Sequence, residues 1–312
     1  MGIQLNAQFA PSASKMGTSA MHQDSSAFVT WAAHCDLQLG WQNIADTSLG
    51  KVHIGDSLSA MGKAGNTTVS LGDGGQAILR FDQYIYDGLG WDFAIFENSF
   101  SDDFLELGFV EVSSDGVNFF RFPAASLTQD TVQVGSFGTL DATKINNLAG
   151  KYRAGFGTPF NLGELSGISG LDIQKVTHVK IIDVVGSVND LFASYDSTGN
   201  AINDPWPTPF ASSGLDLSGV GLIHASSKVG LNEWSNTAFM YPNPAQNWIT
   251  ILPQHSESEL VVLSLSGKTL LRQKVSKNRK ERIDISQLEN GPYLVQIKTK
   301  QQTSSSILTV YK

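Results

Sequence analysis

Oxygen-bearing side chains gather where the apolar stretches of this chain stop. In GLGWDFAIFENSF, residues 88–100, the apolar run ends at Glu97-Asn98, a few positions after Asp87 and Asp92. Asp183 ends VTHVKIID in the same way, and Asp216 stands at the start of DLSGVGLI. Calcium takes six to eight oxygens from carboxylates, amides and backbone carbonyls, and antiparallel sandwiches offer them where strand ends meet loops. The candidate calcium ligands are therefore Asp87, Asp92, Glu97, Asn98, Asp183 and Asp216. No EF-hand spacing is present, and the same residues would also serve as plain polar strand ends. A second chemistry needs two carboxylates across a glycosidic bond, for which Glu97 pairs with Glu106 or Glu111. Glu111 alternates with valines in FVEVS, which places it on a solvated face. A third needs flat rings for sugar stacking. Trp91 lies beside the acidic cluster, and Tyr195, Trp206 and Phe210 lie in a long irregular stretch; the same rings could instead pin that stretch to the core.

Nucleophilic chemistry finds less support. HIGDSLSAMG contains the Gly-Asp-Ser-Leu opening of a serine esterase family, and GSVND echoes a later block of it. That family needs an Asp-x-x-His so that the histidine can act as base for Ser57, and none of the six histidines has an aspartate three residues before it. Gly-x-Ser-x-Gly and His-Glu-x-x-His are absent. Gly-Asp-Gly-Gly at 72–75 lacks the Gly-Lys-Ser/Thr of a phosphate loop and reads as a turn. The reading is a non-enzyme.

The elements that must position these groups are strands. The chain has 312 residues, 30 of them glycine, with 41% hydrophobic and 16% charged residues. That mixture suits short strands joined by tight turns. Segments such as WDFAIFEN, LELGFVEVSSDG, VTHVKIIDVVG and GVGLIHAS recur with turn residues between them, the pattern of an antiparallel sandwich. Ser-Ser-Asp-Gly before VNFFRF predicts a hairpin. Residues 25–41 read as one short helix and a strand. The stretch 191–214 holds three prolines and little periodicity, and its aromatic content predicts an ordered loop. The single cysteine, Cys35, forms no disulfide framework and reads as a small core residue. No apolar run approaches the length of a membrane span.

Charge divides the chain. Residues 1–239 hold 11 Lys/Arg against 24 Asp/Glu, and residues 240–312 hold 10 against 5. An acidic main body is a poor match for nucleic acid, which rewards clustered positive charge. The expected organisation is a signal-peptide remnant over 1–8, a large β-domain over 9–224, a linker over 225–238 and a small β-unit over 239–312.

The small unit carries Tyr241-Pro242-Asn243-Pro244, then LSLSGKTLLR with its turn at Gly267, then IDISQLENGPYLVQI with its turn at Gly291, and ends on Lys312. In order and spacing these blocks closely resemble the type A C-terminal sorting domain of the type IX secretion system of Bacteroidota. The resemblance implies an Ig-like sandwich, export through the type IX translocon and its outer-membrane shuttle, and release or attachment at the cell surface. The large unit carries SLGDGG at 70–75, DFAIFEN at 92–98, VEVSSDG at 110–116 and GLDLSGV at 214–220. These resemble a group of secreted or cell-surface bacterial proteins, which implies an all-β, jelly-roll, galactose-binding-like domain. That group often has a second acid where this chain has Ser218, so the metal set here is one carboxylate poorer. The expected function is a non-catalytic binding protein of the cell surface for a glycan or matrix component. A self-assembling adhesive protein and a polysaccharide hydrolase are the alternatives.

Overall fold

The computed structural model describes residues 9–65, 67–227, 238–253, 258–276, 280–298 and 303–312. The expected signal-peptide remnant lies outside them, as do residues 228–237 of the expected linker. Two units are resolved by contact, Met1–Lys228 and Val229–Lys312, and each is described by itself.

Beside a two-stranded sheet of Ala125–Ser126 and Ile145–Asn146, the large unit is built from two large antiparallel sheets. One runs in the order Met21–His22, Phe156–Phe160, Phe93–Glu97, Asp216–Leu222, Thr30–Trp31, with Val69–Ser70 also paired to Asp216–Leu222. The other runs Leu148–Ala149, Gly108–Ser113, Val176–Asp183, Gln76–Ile85, Ala225–Ser227. His34–Gln38 also pairs with Gln76–Ile85, and Phe120–Arg121 with Gly108–Ser113. Inward side chains of both sheets form one core: Val69, Phe93, Ile95, Leu217 and Val220 from the first meet Leu79, Phe81, Val110, Val112, Val179 and Ile181 from the second. The fold is all-β, a sandwich, as expected.

Period-two alternation explains the faces. In Phe93–Glu97 the odd residues Phe93 and Ile95 enter this core, while Ala94 and Phe96 pack on the other side with Ala64, Met21, Phe28 and Trp31. Glu97 continues the odd series and pairs with Leu217, itself a core residue. A carboxylate therefore occupies the last inward position of the strand.

Three expectations are corrected by the pairing. Residues 25–41 contain no helix: Thr30–Trp31 and His34–Gln38 are strands, the latter alternating so that Cys35 is buried between exposed His34 and Asp36. The linker does not begin at 225, because Ala225–Ser227 pairs with Gln83–Ile85 as a strand and extends the sandwich. Glu111 is not solvated: it is 8% exposed, bonded to Arg121 at 2.8 Å and to Lys180 at 2.5 Å. Val110 and Val112 do face the core as alternation requires, and Phe109 packs into a second apolar cluster on the opposite face, which covers that side of the sheet.

The small unit has a three-stranded sheet, Ala238–Tyr241, Trp248–Pro253, Glu281–Asp284, and a four-stranded one, Thr269–Val275, Ser258–Leu263, Gly291–Lys298, Thr303–Val310. Ile249, Ile251 and Ile283 from the first share a core with Leu260, Val262, Val295 and Ile297 from the second.

Gly150 fixes where the Gly108–Ser113 strand begins. Its φ is +79°, and a Cβ there would lie 1.8 Å from the carbonyl oxygen of Glu106. Gly150→Ala is expected to lower unfolding stability by about 2 kcal/mol or more, because both the left-handed backbone and the collision resist a side chain. Urea unfolding checks this; an unchanged midpoint would show that the two segments separate freely.

Candidate functional site

Glu97 is 2% exposed at the end of its strand. Its Oε2 accepts the Ser99 backbone N–H at 2.6 Å, which turns the chain sharply out of the sheet. Its Oε1 is sealed from solvent without a well-formed hydrogen bond, and the backbone N–H groups of Asn98 and Asp216 also act on the carboxylate. The Ser99 hydroxyl donates to the Phe104 carbonyl, closing residues 99–104 into a tight loop. This loop stacks Phe100 on Phe104, with ring centroids 4.4 Å apart.

Two further carboxylates reach the same place. Glu106, 9% exposed, precedes the Gly108–Ser113 strand; Asp216 opens the strand beside Glu97 and accepts the Ser70 hydroxyl. Phe137 and Phe210 come from two irregular stretches and continue the row of rings: Phe104 to Phe137 is 6.4 Å and Phe137 to Phe210 is 5.8 Å. The result is a pocket of about 240 Å³ with Glu97, Glu106 and Asp216 in its wall and a row of phenyl rings on its side. Asn98, Ser99, Ser136, Thr208 and Ser212 add polar lining.

Behind the pocket lies a second set of carboxylates, all bonded to backbone N–H groups. Asp183 accepts from Leu215 at 2.8 Å and from Gly74 at 3.1 Å, which holds the residue next to Asp216. Asp204 accepts from Leu107 at 3.0 Å, which holds the residue next to Glu106. Asp73 accepts from Ile44 at 2.8 Å and from the Trp206 indole at 3.0 Å, which ties down the loop leading to Phe210. These groups position the pocket without lining it.

Burial governs the electrostatics. Desolvation pushes Glu97, Glu106, Asp183 and Asp204 well above the ordinary carboxylate range, and neighbouring carboxylates add to the rise. Asp73 is raised for the same first reason, and Asp216 is pushed up to about 6, held back by the Ser70 hydrogen bond. Among the described residues no Lys or Arg pairs with any of these six carboxylates.

The six expected calcium ligands do not converge. Glu97, Asn98 and Asp216 line the pocket. Asp183 lies in the positioning set. Asp92 sits at the opposite end of the Phe93–Glu97 strand, where it accepts from Gly88 at 2.8 Å and Leu162 at 2.6 Å and contacts the His224 ring at 2.7 Å. Asp87 is near it, its Oδ1 against Gly163. A strand of five residues separates the two groups, so the sequence cluster around 87–98 is split by its own geometry. Among the described residues no group of three or more His, Cys, Asp or Glu is arranged to hold a metal ion.

Of the expected sugar-stacking rings only Phe210 lines the pocket. Trp206 is pinned by Asp73 and packs on Phe192 at 6.1 Å. Tyr195 donates to Asp190 at 2.9 Å, and Trp91, 39% exposed, adjoins Asp92; neither reaches the pocket. Asp56 of the Gly-Asp-Ser-Leu stretch caps the short turn Ser57–Ala60, accepting from Leu58 and Ser59. The residues that sequence reasoning missed are Asp73, Asp204, Phe100, Phe104 and Phe137. Phe100 and Phe137, 73% and 71% exposed, signal themselves only as apolar residues inside polar loops.

In the small unit Asn243 clamps the proline corner to the last strand: its Nδ2 donates to the Ile307 carbonyl and its Oδ1 accepts from Thr309 N, both at 2.8 Å. Tyr241 is half-exposed beside it, and both Pro242 and Pro244 follow cis peptide bonds. Gly267 turns at φ +84°. Gly291 opens the strand that pairs with Thr303–Val310, and the Lys312 ammonium donates to the Ser286 carbonyl. Residues 239–310 match the secretion system C-terminal sorting domain. The sorting domain indicates export to the cell surface or secretion and implies contact with the secretion machinery. No helix among the described residues is long and apolar enough to cross a membrane.

No curated protein matches the chain. Solved structures match loosely. A biofilm-associated protein BSP domain is 10% identical at TM-score 0.22, with 93% of this chain and 53% of that one covered. The adhesin domain of Epf from Streptococcus pyogenes is 13% identical at TM-score 0.20, covering 76% and 72%. A β-glucuronidase from Ruminococcus gnavus is 8% identical at TM-score 0.21, covering 91% and 44%. The chain thus spans about half the length of the first structures it matches.

The raised carboxylates make a prediction with a definite sign. A group whose folded pKa lies above its unfolded value stabilises the fold fully below that unfolded value and loses the contribution as pH rises through the folded one. For these aspartates and glutamates the loss starts near pH ~4 and runs past the value of about 6 for Asp216. Melting temperature in a calcium-free buffer is therefore expected to be higher at about pH 5 than at about pH 7.5. The reverse order would show that the cluster is solvated or paired.

Proposed function

We propose that the chain is an exported, non-catalytic surface protein whose large domain binds a ligand in the Glu97–Glu106–Asp216 pocket, a glycan or matrix component being the ligand class. The observation that carries this is the meeting of buried carboxylates and a row of phenyl rings on one pocket of about 240 Å³. Rings stack on the apolar faces of sugars, and polar groups fix orientation. The sorting domain supports placement at the surface, where such ligands are met. A galactose-binding-like jelly roll agrees with the two antiparallel sheets, and it is a scaffold that carbohydrate-binding modules use. Self-assembly through sheet edges is another reading: four edges of the large unit, Met21–His22, Thr30–Trp31, Leu148–Ala149 and Ala225–Ser227, are short and blunted, while His34–Gln38 offers a five-residue edge.

Glu97 and Glu106 do line the same pocket, which favours a polysaccharide hydrolase as second reading. An acid and a base need environments that push their pKa values apart. Here desolvation is the largest cause for both, and it raises both. Nothing therefore sets one of them apart as acid and the other as base. Calcium, the expected cofactor, is an outcome of the test below, since no group of three or more His, Cys, Asp or Glu among the described residues is arranged to hold it.

A glycan array probed with the full chain, with calcium and again with EDTA, tests this. Specific hits, weakened by Glu97→Gln and retained without any released sugar, are expected. Hits lost only on chelation would assign calcium to the pocket. Release of reducing sugar by the parent protein but not by Glu97→Gln or Glu106→Gln would establish the hydrolase instead.

A further inference from the structure

The loops at the pocket end of the large unit are tied to one another by amides and to the sandwich by carboxyls. Asn203 is fully buried: its Nδ2 donates to the carbonyls of Gln129 at 2.7 Å and Val132 at 2.8 Å, and its Oδ1 accepts from Val134 N at 2.9 Å. Gln133 donates to the Gly186 carbonyl at 2.9 Å and accepts from Val188 N at 2.9 Å. Trp206 N donates to the Val134 carbonyl at 3.0 Å, and the Ser136 hydroxyl donates to the Pro207 carbonyl at 2.6 Å. Residues 129–138 and 203–208 are thereby knotted into one piece. Side-chain amides do not titrate, so the knot stays tied as pH changes.

Toward the sandwich, among the described residues, the knot makes two side-chain hydrogen bonds, and each has a carboxyl as acceptor. Asp204 takes the Leu107 N–H at 3.0 Å, and Asp73 takes the Trp206 indole N–H at 3.0 Å. Val134 adds an apolar contact. Backbone bonds on the flanks, from Leu127 to Lys144, Leu140 to Asp103, Val184 to Leu107 and Gly72 to Ser213, mark where the knot pivots. Asp183 feels the charge of both Asp73 and Asp204, and Glu106 feels Asp183, Asp204, Glu97 and Asp216. The other charged groups on the packed elements are engaged elsewhere: Arg153 with Asp102 at 3.1 Å, Lys51 with the Leu39 carbonyl at 2.8 Å, Lys151 with the Ile145 carbonyl at 2.7 Å, Asp103 with the Ser101 hydroxyl at 2.6 Å and Asp190 with Tyr195 at 2.9 Å. Burial raises Asp196, but donors from Ser126, Thr198 and Asn200 outweigh it and leave that carboxyl below the ordinary value. His53, Asp130, Asp141 and Lys144 are exposed.

We propose that the knot is a pH-operated flap, seated on the sandwich while Asp73, Asp183 and Asp204 are neutral and lifted as they ionise, which swings Phe137 away from Phe104 and widens the pocket. The device is the same whatever the pocket binds. Its geometry is a joint between two pieces, with Asp204 on the flap and Asp73 and Asp183 on the body, all three buried and without a Lys or Arg partner among the described residues. Neutral, each carboxyl still accepts its N–H donor. Ionised, the three repel one another across the joint in a place that water does not reach. Burial raises all three, and the charge of Asp73 adds to the rise at Asp183 and Asp204. A carboxyl whose value is higher with the flap down than with the flap lifted favours the down state below its ordinary value, near pH ~4, and loses that preference as pH rises through the higher one. The flap is therefore shut in acid and opens toward neutral and alkaline pH.

Hydrogen exchange of the full chain, followed by mass spectrometry at about pH 5 and about pH 8 and corrected for the intrinsic effect of pH on exchange, tests this. Protection of the Leu107 amide, which the flap covers, is expected to fall at least about tenfold over that range, the worth of one pK unit at one group. The core strand Val176–Asp183 should keep its protection. Asp73→Asn combined with Asp204→Asn leaves an oxygen for each N–H donor and no proton to lose, so its Leu107 protection should change by less than about threefold, half a pK unit. Unchanged Leu107 protection in the parent protein would overturn the flap. An equal fall in Val176–Asp183 would overturn it as well, because the whole sandwich would then be losing stability. A double variant as pH-sensitive as the parent would remove Asp73 and Asp204 from the device and with them the proposal. Should the double variant fail to fold, the contrast between Leu107 and Val176–Asp183 in the parent still decides.

Discussion

One end of the large sandwich has to bury five carboxylates, Asp73, Glu97, Glu106, Asp183 and Asp204, and half-bury a sixth, Asp216, without a Lys or Arg partner among the described residues. Moving a carboxylate out of water is costly, and the cost rises when others are near. The fold meets this in two ways. Asp73, Asp183 and Asp204 are supplied with N–H donors from Ile44, Leu215, Gly74 and Leu107, so their charge is spread over oriented backbone dipoles. Glu97 accepts from the Ser99 N–H, with the backbone N–H groups of Asn98 and Asp216 also lowering the cost of its charge, and it lines a pocket together with Glu106. The division is between carboxylates that hold the chain and carboxylates that line the pocket.

Glu111 shows what the same protein does when it buries a carboxylate for stability alone. It is as buried as Glu106 and it is met by both Arg121 and Lys180. Asp92 shows the other structural solution, with two backbone donors and the His224 ring satisfying it. Glu97 differs from Glu111 in being met by backbone N–H groups in place of a Lys or Arg, and from Asp92 in lining a pocket. The N–H groups of Leu215 and Leu107, the residues beside Asp216 and Glu106, donate to Asp183 and Asp204 and fix the backbone of two pocket residues from behind.

How far the sequence reveals this depends on the kind of signal. Glu97, Asn98 and Asp216 announce themselves by interrupting apolar periodicity at strand ends, and alternation alone places Glu97 on the inward face with Phe93 and Ile95. Asp87 and Asp92 give the same local signal but belong to the other end of that strand, a distinction that spacing along the chain does not contain. Asp73 hides in a Gly-Asp-Gly-Gly turn, where aspartate is ordinary, and its burial at 3% goes with two distant segments that bond to it, Trp41–Ile44 and the loop of Trp206. Phe137 lies in a stretch without periodicity, so its place beside Phe104 and Phe210 is a tertiary fact. Hairpins, the all-β class and the sorting blocks were legible because they depend on turn residues and alternation within a few positions.

The two units answer different physical demands. In the sorting unit the polar groups of the proline corner are closed locally: Asn243 spans to Ile307 and Thr309, and Ala245 exchanges backbone bonds with Thr309 and Tyr311. Such a unit is specified by its own backbone pairing, and its excess of basic residues stays on exposed side chains such as Lys268 and Lys274. The large unit instead gathers Glu97, Glu106 and Asp216 on one pocket, where burial pushes all three carboxyls up and favours their neutral forms. Glu111 is treated the other way, its charge kept and met by Arg121 and Lys180.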